Sequence, residues 1–89
     1  MADRIHIEVD GIALDVEVAR ARGMETLELM AAAQRAGSED ISALLELYDH
    51  VLGDQKAAVE AALEAEDGYV DYARYLKVAG DVLNAVSKN

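Results

Sequence analysis

Hydrophobic and polar residues alternate strictly over the first part of the chain and then change to a helical spacing. The alternation runs on both sides of Asp10-Gly11, a dipeptide that suits a type I′ turn because both central positions need a positive φ. This pattern predicts a β-hairpin over residues 4–18. Its aliphatic face needs a cover, since an isolated two-stranded hairpin is only marginally stable in water.

Apolar residues recur at helical spacing through the rest of the chain. They predict helices at about 24–36, 39–52, 55–66 and 71–86, with residues 19–23 as a link of undefined structure. Gly37 and Gly53 stand where helices end, and Ser38, Asp54 and Asp71 are the expected N-caps. The expected fold class is α+β, mostly α: an N-terminal β-hairpin followed by about four short amphipathic helices. We expect residues 1–89 to form a single domain.

Each predicted helix carries an apolar stripe that we expect to face the core. In chain order the four stripes are Met24, Leu27, Met30 and Ala31; Ile41, Leu44, Leu45, Tyr48, Val51 and Leu52; Ala58, Val59, Ala62 and Leu63; and Tyr72, Tyr75, Leu76, Ala79, Val82, Leu83 and Val86. Gly80 interrupts the last helix and is expected to mark close helix packing.

Composition limits what the chain can do. It has no cysteine, hence no disulfide and no thiolate ligand or nucleophile. Apolar residues make up 53% of the 89 residues, but 17 of them are alanine, which adds little burial energy. We therefore expect dependence on self-association (a homo-oligomer) or on a partner. No apolar run approaches a membrane span and the N-terminus is polar, so we expect a cytoplasmic protein with no membrane segment or signal peptide.

The net charge of −10 argues against binding to nucleic-acid phosphates. The charge is concentrated in residues 37–68, which hold nine acidic residues against one basic residue. Two interpretations stay open for this block. It could dock a basic partner, or it could be a solvated face that keeps an apolar binding protein in solution.

Candidate chemistry is sparse in this sequence. Asp67-Gly68 matches the middle of an EF-hand loop, but Leu63 and Arg74 then occupy the first and last ligand positions, so calcium is not expected. His6 and His50 lie off the apolar stripes and are interpreted as surface residues. The sequence therefore predicts no catalytic, cofactor-binding or metal-binding residue.

Size and acidity also suit a carrier protein of bacterial metabolism, of the acyl-carrier type, which holds cargo on a serine-linked prosthetic arm. Such carriers place Asp-Ser-Leu at a helix start. Here the nearest match is the segment 38–42, which has serine after Asp-Ile and lacks the triplet. The expected capping role of Ser38 explains that serine without a modification. An acidic carrier or adaptor protein of bacterial metabolism is the alternative interpretation, and a small interaction domain with an unrelated partner is a third.

Tyrosines and off-stripe apolar residues are the candidates for partner contact. Tyr48 and Tyr72 are expected in the core, whereas Tyr69 and Tyr75 could either pack over the central helices or anchor a partner. The predicted partner-binding residues, chosen from this tyrosine group and from the margins of the stripes, are Leu29, Leu47, Tyr75 and Val78.

The order of these features resembles a known family. After the hairpin comes a Met-Glu-Thr-Leu-Glu-Leu-Met helix start at 24–30, a Leu-Gly-Asp-Gln helix join at 52–55 and an Asp-Gly-Tyr-Val link at 67–70. This order is similar to the small tail assembly chaperones of phages with long non-contractile tails and of related prophages. The resemblance spans nearly the whole chain.

The resemblance implies a protein that binds the long, hydrophobic, helical tape measure protein and keeps it soluble. It also implies that the chaperone helps the major tail protein polymerise around the tape measure and leaves before the virion is complete. In this family a longer, frameshifted product often recruits the tail protein, and the present chain would be the short form. No residue motif of the family carries over to a binding site.

Overall fold

A computed structural model describes residues 3–37 and 41–87. The strands are β1, Arg4–Val9, and β2, Ile12–Glu17. The α-helices are α1, Val18–Arg22; α2, Met24–Ala36; α3, Ile41–Leu52; α4, Lys56–Leu63; and α5, Tyr72–Ser87, with a single 3₁₀ turn at Gly53–Gln55 between α3 and α4. The expected fold class is confirmed: the chain is mostly helical, with an N-terminal antiparallel hairpin.

The hairpin forms as the Asp-Gly signal predicts. Asp10 and Gly11 have φ values of 55° and 81°, as a type I′ turn requires. Opposite residues place three aliphatic pairs on one face: Val9 with Ile12, Ile7 with Leu14, and Ile5 with Val16. Leu14 and Val16 are almost fully buried. The helices therefore supply the cover that the hairpin needs.

The segment after the hairpin is a short helix, α1, where the sequence indicated only a link. Its alanines and arginines favour helix, and Ala21 enters the core. Two arginine side chains bind carbonyl groups near the ends of other helices: Arg22 Nε donates to Val86 O at 2.9 Å, and Arg20 Nη1 to His50 O at 3.3 Å. Cations near helix C-termini are favourable. The two arginines therefore link α1, which follows the hairpin directly, to the C-terminal ends of α3 and α5.

The α2 helix has the predicted bounds but buries a different face. Met24 and Leu27 are 69% and 57% exposed, whereas Thr26 is buried. The predicted stripe was therefore wrong for Met24 and Leu27, whereas Met30 is half-buried and packs against the core. Thr26 can be buried because its hydroxyl donates to the Arg20 carbonyl, and Leu29 packs on the same side against the core. The helix carries apolar residues on two faces, and its neighbours cover only one of them.

The segment between α3 and α5 differs from the prediction at both ends of α4. Asp54 does not cap α4; its carboxylate pairs with Arg4, with Oδ2 2.9 Å from Nη2. The helix predicted at 55–66 ends at Leu63, because the Glu64 backbone leaves the helix and forms an antiparallel bridge with Val70. Ala58 and Ala62 are exposed, so they do not belong to the buried stripe. The cap expected at Ser38 lies outside the described residues.

The last helix, α5, supplies the largest share of the core. Its buried residues are Tyr75, Val78, Ala79, Val82 and Val86. Asp71 caps it as predicted, with its Oδ1 accepting from the Ala73 amide at 3.3 Å. Tyr72, predicted in the core, is instead 71% exposed.

Gly80 allows α5 to lie close to α3. A Cβ atom built on Gly80 would lie 3.1 Å from the Tyr48 hydroxyl oxygen. The close packing expected at this glycine is therefore confirmed.

Within residues 3–37 and 41–87, every helix is too short or too polar to span a lipid bilayer.

Candidate functional site

An open apolar groove lies between α3 and the first turns of α5. It has a volume of about 430 Å³ and is lined by Ile41, Leu45, Tyr72, Tyr75 and Leu76. Ile41 and Tyr72 stand on its rim, with 45% and 71% of their surface exposed. We call this surface the α3–α5 groove. Contiguous exposed apolar surface of this kind marks sites of protein interaction more often than scattered apolar residues do.

A chain of polar contacts fixes the floor of the groove. Tyr75 is only 6% exposed, and its hydroxyl donates to Asp49 Oδ1 at 2.8 Å. The other carboxylate oxygen of Asp49 accepts from Lys56 Nζ at 3.0 Å. These two contacts connect α5, α3 and α4 in turn. The Tyr75 ring can therefore present apolar surface to the groove while its hydroxyl group stays paired.

The environment of Tyr75 keeps its hydroxyl protonated. Burial raises the pKa of Tyr75 most, because the phenolate would lose hydration. The hydrogen bond to Asp49 and the negative charges of Asp49 and Glu60 raise that pKa further. Burial and the charge of Asp81 likewise raise the pKa of Tyr48. Both tyrosines thus act as neutral packing residues near neutral pH.

One end of the α3–α5 groove is acidic. A smaller cavity of about 180 Å³ shares Leu45, Tyr72 and Tyr75 with the groove and adds Lys56, Glu60 and Val70 to the lining. Lys56 is held by Asp49. Glu60 is exposed and has no ion-pair partner among residues 3–37 and 41–87. The unpaired charge at this end is therefore negative.

A second exposed apolar surface lies on α2 and is called here the α2 face. It comprises the exposed Met24 and Leu27 and the half-buried Met30, beside a shallow cavity of about 320 Å³ that Ala21, Arg22, Gly23, Thr26 and Ser87 also line. Met24 and Leu27 belong to the stripe that the sequence predicted to be buried. At the edge of this face, the Arg22 side chain donates a hydrogen bond to the Val86 carbonyl.

The structure separates the four residues predicted to bind a partner. Leu29 is half-buried and packs against the core, while Leu47 and Val78 are buried in the core with 4% and 0% exposed. Tyr75 alone lines the α3–α5 groove. Of the four, Tyr75 therefore lies at an open apolar surface in this conformation, and the role of all four in partner binding stays a prediction.

The remaining groove residues were assigned to core stripes from the sequence. Ile41 with Leu45, and Tyr72 with Leu76, are i, i+4 pairs in the first turns of α3 and α5. The first turns of helices often extend beyond their neighbours, so an apolar pair there can remain uncovered. That position was the signal in the sequence that could have indicated the groove.

Each of the two histidines lies beside one carboxylate. His6 Nδ1 lies 2.8 Å from Asp15 Oδ1, and His50 Nδ1 lies 3.6 Å from Glu25 Oε1. No three histidine or carboxylate side chains converge on a metal position in the part of the chain that the structure describes. Asp67 Oδ1 accepts from the Tyr69 amide at 3.0 Å, which stabilises a turn through Gly68.

The sequence matches no known family model, and comparisons with curated proteins and with solved structures find no significant similarity.

Proposed function

We propose that this protein is a phage tail assembly chaperone that binds the tape measure protein and keeps it soluble. It assists polymerisation of the major tail protein around the tape measure in the host cytoplasm, and it leaves before the virion is complete. It works by non-covalent binding and not as an enzyme. The observation that carries the proposal is the α3–α5 groove, an apolar surface of the kind that receives one face of a partner helix.

The groove suits reversible binding to a helix. Its two walls, Ile41 with Leu45 and Tyr72 with Leu76, can contact apolar residues that repeat every three or four positions on a partner. The surface is small compared with stable protein interfaces, which bury roughly 1,200–2,000 Å². We therefore expect weak contacts at each groove, as a chaperone that must later dissociate requires.

The acidic exterior supports the same function. The chain carries a net charge of −10, and net charge far from zero keeps proteins in solution. A complex in which the groove covers a partner's apolar helix would gain this charge. The exposed α2 face, with Met24 and Leu27, is the candidate surface for self-association into the proposed homo-oligomer.

Co-expression with the tape measure protein of the same phage tests the proposal. The unmodified chain should raise the soluble fraction of the tape measure protein. The double variant Ile41→Ser/Tyr72→Ser should lose this effect, because it removes both rim residues. The matched control, Met24→Ser/Leu27→Ser, removes two similarly exposed apolar residues from the α2 face and should retain it, because helix binding in the groove does not require self-association through α2.

Circular dichroism and thermal melting establish that both double variants fold, as expected for substitutions of exposed side chains. An unchanged aggregation of the tape measure protein in the presence of the unmodified chain would contradict the proposed function. Equal losses in the two double variants would contradict the assignment of the function to the groove.

A further inference from the structure

We propose that β1 pairs with β1 of a second copy of this chain, antiparallel and centred on His6, so that two hairpins form one continuous sheet. The contact uses the outer edge of β1, called here the β1 edge, which consists of the outward backbone groups of Arg4, His6 and Glu8. This surface is separate from the α3–α5 groove and from the α2 face. The inference goes beyond the proposed function, because it stands on the hairpin alone.

The register of the hairpin determines which backbone groups of β1 point outward. Val9 and Ile12 flank a two-residue turn, and residues in this position form a hydrogen-bonded pair. Hydrogen-bonded and non-hydrogen-bonded pairs then alternate along the ladder. Val18 N donates to Asp3 O at 2.9 Å, as this alternation requires at the other end of the hairpin. The residues of β1 whose amides and carbonyls point away from β2 are therefore Arg4, His6 and Glu8.

The β1 edge is open in the part of the chain that the structure describes. The sheet has two strands, so β1 pairs with β2 alone. No hydrogen bond from residues 3–37 or 41–87 reaches the outward groups of β1. The outer edge of β2 differs, because the Asp15 amide donates to Gln55 Oε1 at 3.1 Å. An uncovered strand edge is a template for pairing with another strand.

The apolar side of β1 is also less covered than that of β2. Leu14 and Val16 on β2 are almost fully buried. Their cross-strand partners Ile7 and Ile5 are only half-buried. Antiparallel pairing centred on His6 would place Ile5 beside Ile7 of the second copy, and it would extend the apolar core across the contact.

The sequence of β1 is complementary to itself in this register. Arg4 and Glu8 are equally spaced about His6, so a twofold axis at His6 pairs Arg4 of each copy with Glu8 of the other. Outward residues then meet outward residues, and each pair can exchange two hydrogen bonds. Glu8 has no ion-pair partner among residues 3–37 and 41–87. Arg4 holds Asp54 and adds a cation beside Glu8 of the second copy, and opposite charges at facing positions stabilise strand pairs.

Sedimentation equilibrium of the variant Met24→Ser/Leu27→Ser provides the test, because this background removes the α2 face. It should show a reversible equilibrium between monomer and dimer. Adding His6→Pro removes the outward amide at the twofold axis of both copies and should weaken dimerisation about tenfold or more, since each copy loses a hydrogen bond. Proline is tolerated on an edge strand where the missing N–H would face solvent.

Two control variants in the same background separate the backbone from other effects. His6→Ala removes the same side chain but keeps the amide. Ala13→Pro removes an outward amide from β2, since Ala13 lies opposite Glu8. Both controls should retain the dimer, and circular dichroism establishes that each variant folds.

Amide hydrogen exchange in the Met24→Ser/Leu27→Ser background requires no substitution in β1. The amides of Arg4, His6 and Glu8 should exchange more slowly as the protein concentration rises, whereas exchange of the Ala13 amide should not change. If His6→Pro fails to fold, this measurement decides the question alone.

A chain that stays monomeric in this background would overturn the inference, and so would exchange at the β1 edge that is independent of concentration. Equal weakening by His6→Pro and by either control would also overturn it. None of these results bears on the proposed function, which the co-expression assay examines with the tape measure protein itself.

Discussion

The α3–α5 groove and the α2 face expose similar amounts of apolar side chain but differ in shape and support. Ile41 and Tyr72 are 45% and 71% exposed in the groove, and Met24 and Leu27 are 69% and 57% exposed on α2. The groove has a floor fixed by side-chain contacts from Tyr75 to Asp49 to Lys56, whereas Thr26 and Arg22 beside the α2 face donate to backbone carbonyls. Exposure alone therefore does not separate a binding site from an uncovered face.

The side chains on the two surfaces also behave differently. Tyrosine provides large, rigid contact area with little conformational entropy to lose, whereas methionine adapts its shape to its neighbour. The groove presents two tyrosines, Tyr72 and Tyr75, and the α2 face presents two methionines, Met24 and Met30. The rigid rings of the groove thus suit a partner that binds in one orientation. The flexible side chains of the α2 face suit contacts that can adapt, such as self-association.

The largest expected effect distinguishes a core residue on α3 from a surface residue on α2. Leu47→Ala should destabilise the fold by about 2–5 kcal/mol, because it leaves a cavity beneath α3; Leu47 is only 4% exposed. The matched control Leu27→Ala should change stability by less than about 0.5 kcal/mol. Urea unfolding at fixed pH measures both. At concentrations low enough to keep the chain monomeric, comparable losses would mean that other elements of the same chain cover Leu27.

A smaller effect is expected from the floor of the groove. Tyr75→Phe keeps the ring but removes the hydrogen bond to Asp49, which should cost about 1.5 kcal/mol because the acceptor is charged. Asp49 retains Lys56, so the fold should persist. The same unfolding experiment gives the value. No change in stability would show that the polar contacts do not support the groove.

The smallest expected effect is a dependence on alkaline pH. Tyr75 has a pKa raised above its ordinary value of about 10 by burial and by Asp49. Its contribution to stability is therefore present below pH 10 and is lost as pH rises, since the unfolded chain ionises first. Between pH 10 and pH 11 the loss should be at most about 1 kcal/mol. Tyr75→Phe should lose less stability over that interval, and an equal loss would contradict this origin.

Local signals predicted the elements of the fold well. Asp10-Gly11 specified the hairpin because few other dipeptides accept two positive φ values, and Asp71 and Gly37 marked helix ends through capping. Helix faces were harder, because α2 has apolar residues on two sides. Burial of Thr26 depends on a carbonyl of α1, a short helix for which the alanine and arginine residues at 19–22 gave no boundary signal.

The site was less predictable than the fold for a similar reason. Tyr72 and Tyr75 are separated by one turn of α5, and periodicity placed both on the same stripe. Tyr75 is buried because its hydroxyl reaches Asp49 on α3, a tertiary contact that the spacing of residues does not encode. Tyr72 then remains on the rim. Charge patterning did indicate an acidic centre, but not that Glu60 lies beside an apolar groove.

Nuclear magnetic resonance of the ¹⁵N-labelled chain, titrated with a helical segment of the tape measure protein, tests the central proposal most directly. We predict that amide shifts change mainly at Ile41, Leu45, Tyr72, Tyr75 and Leu76, with little change at Met24 and Leu27. Changes confined to the α2 face, or the absence of changes at either surface, would contradict the assignment of helix binding to the α3–α5 groove.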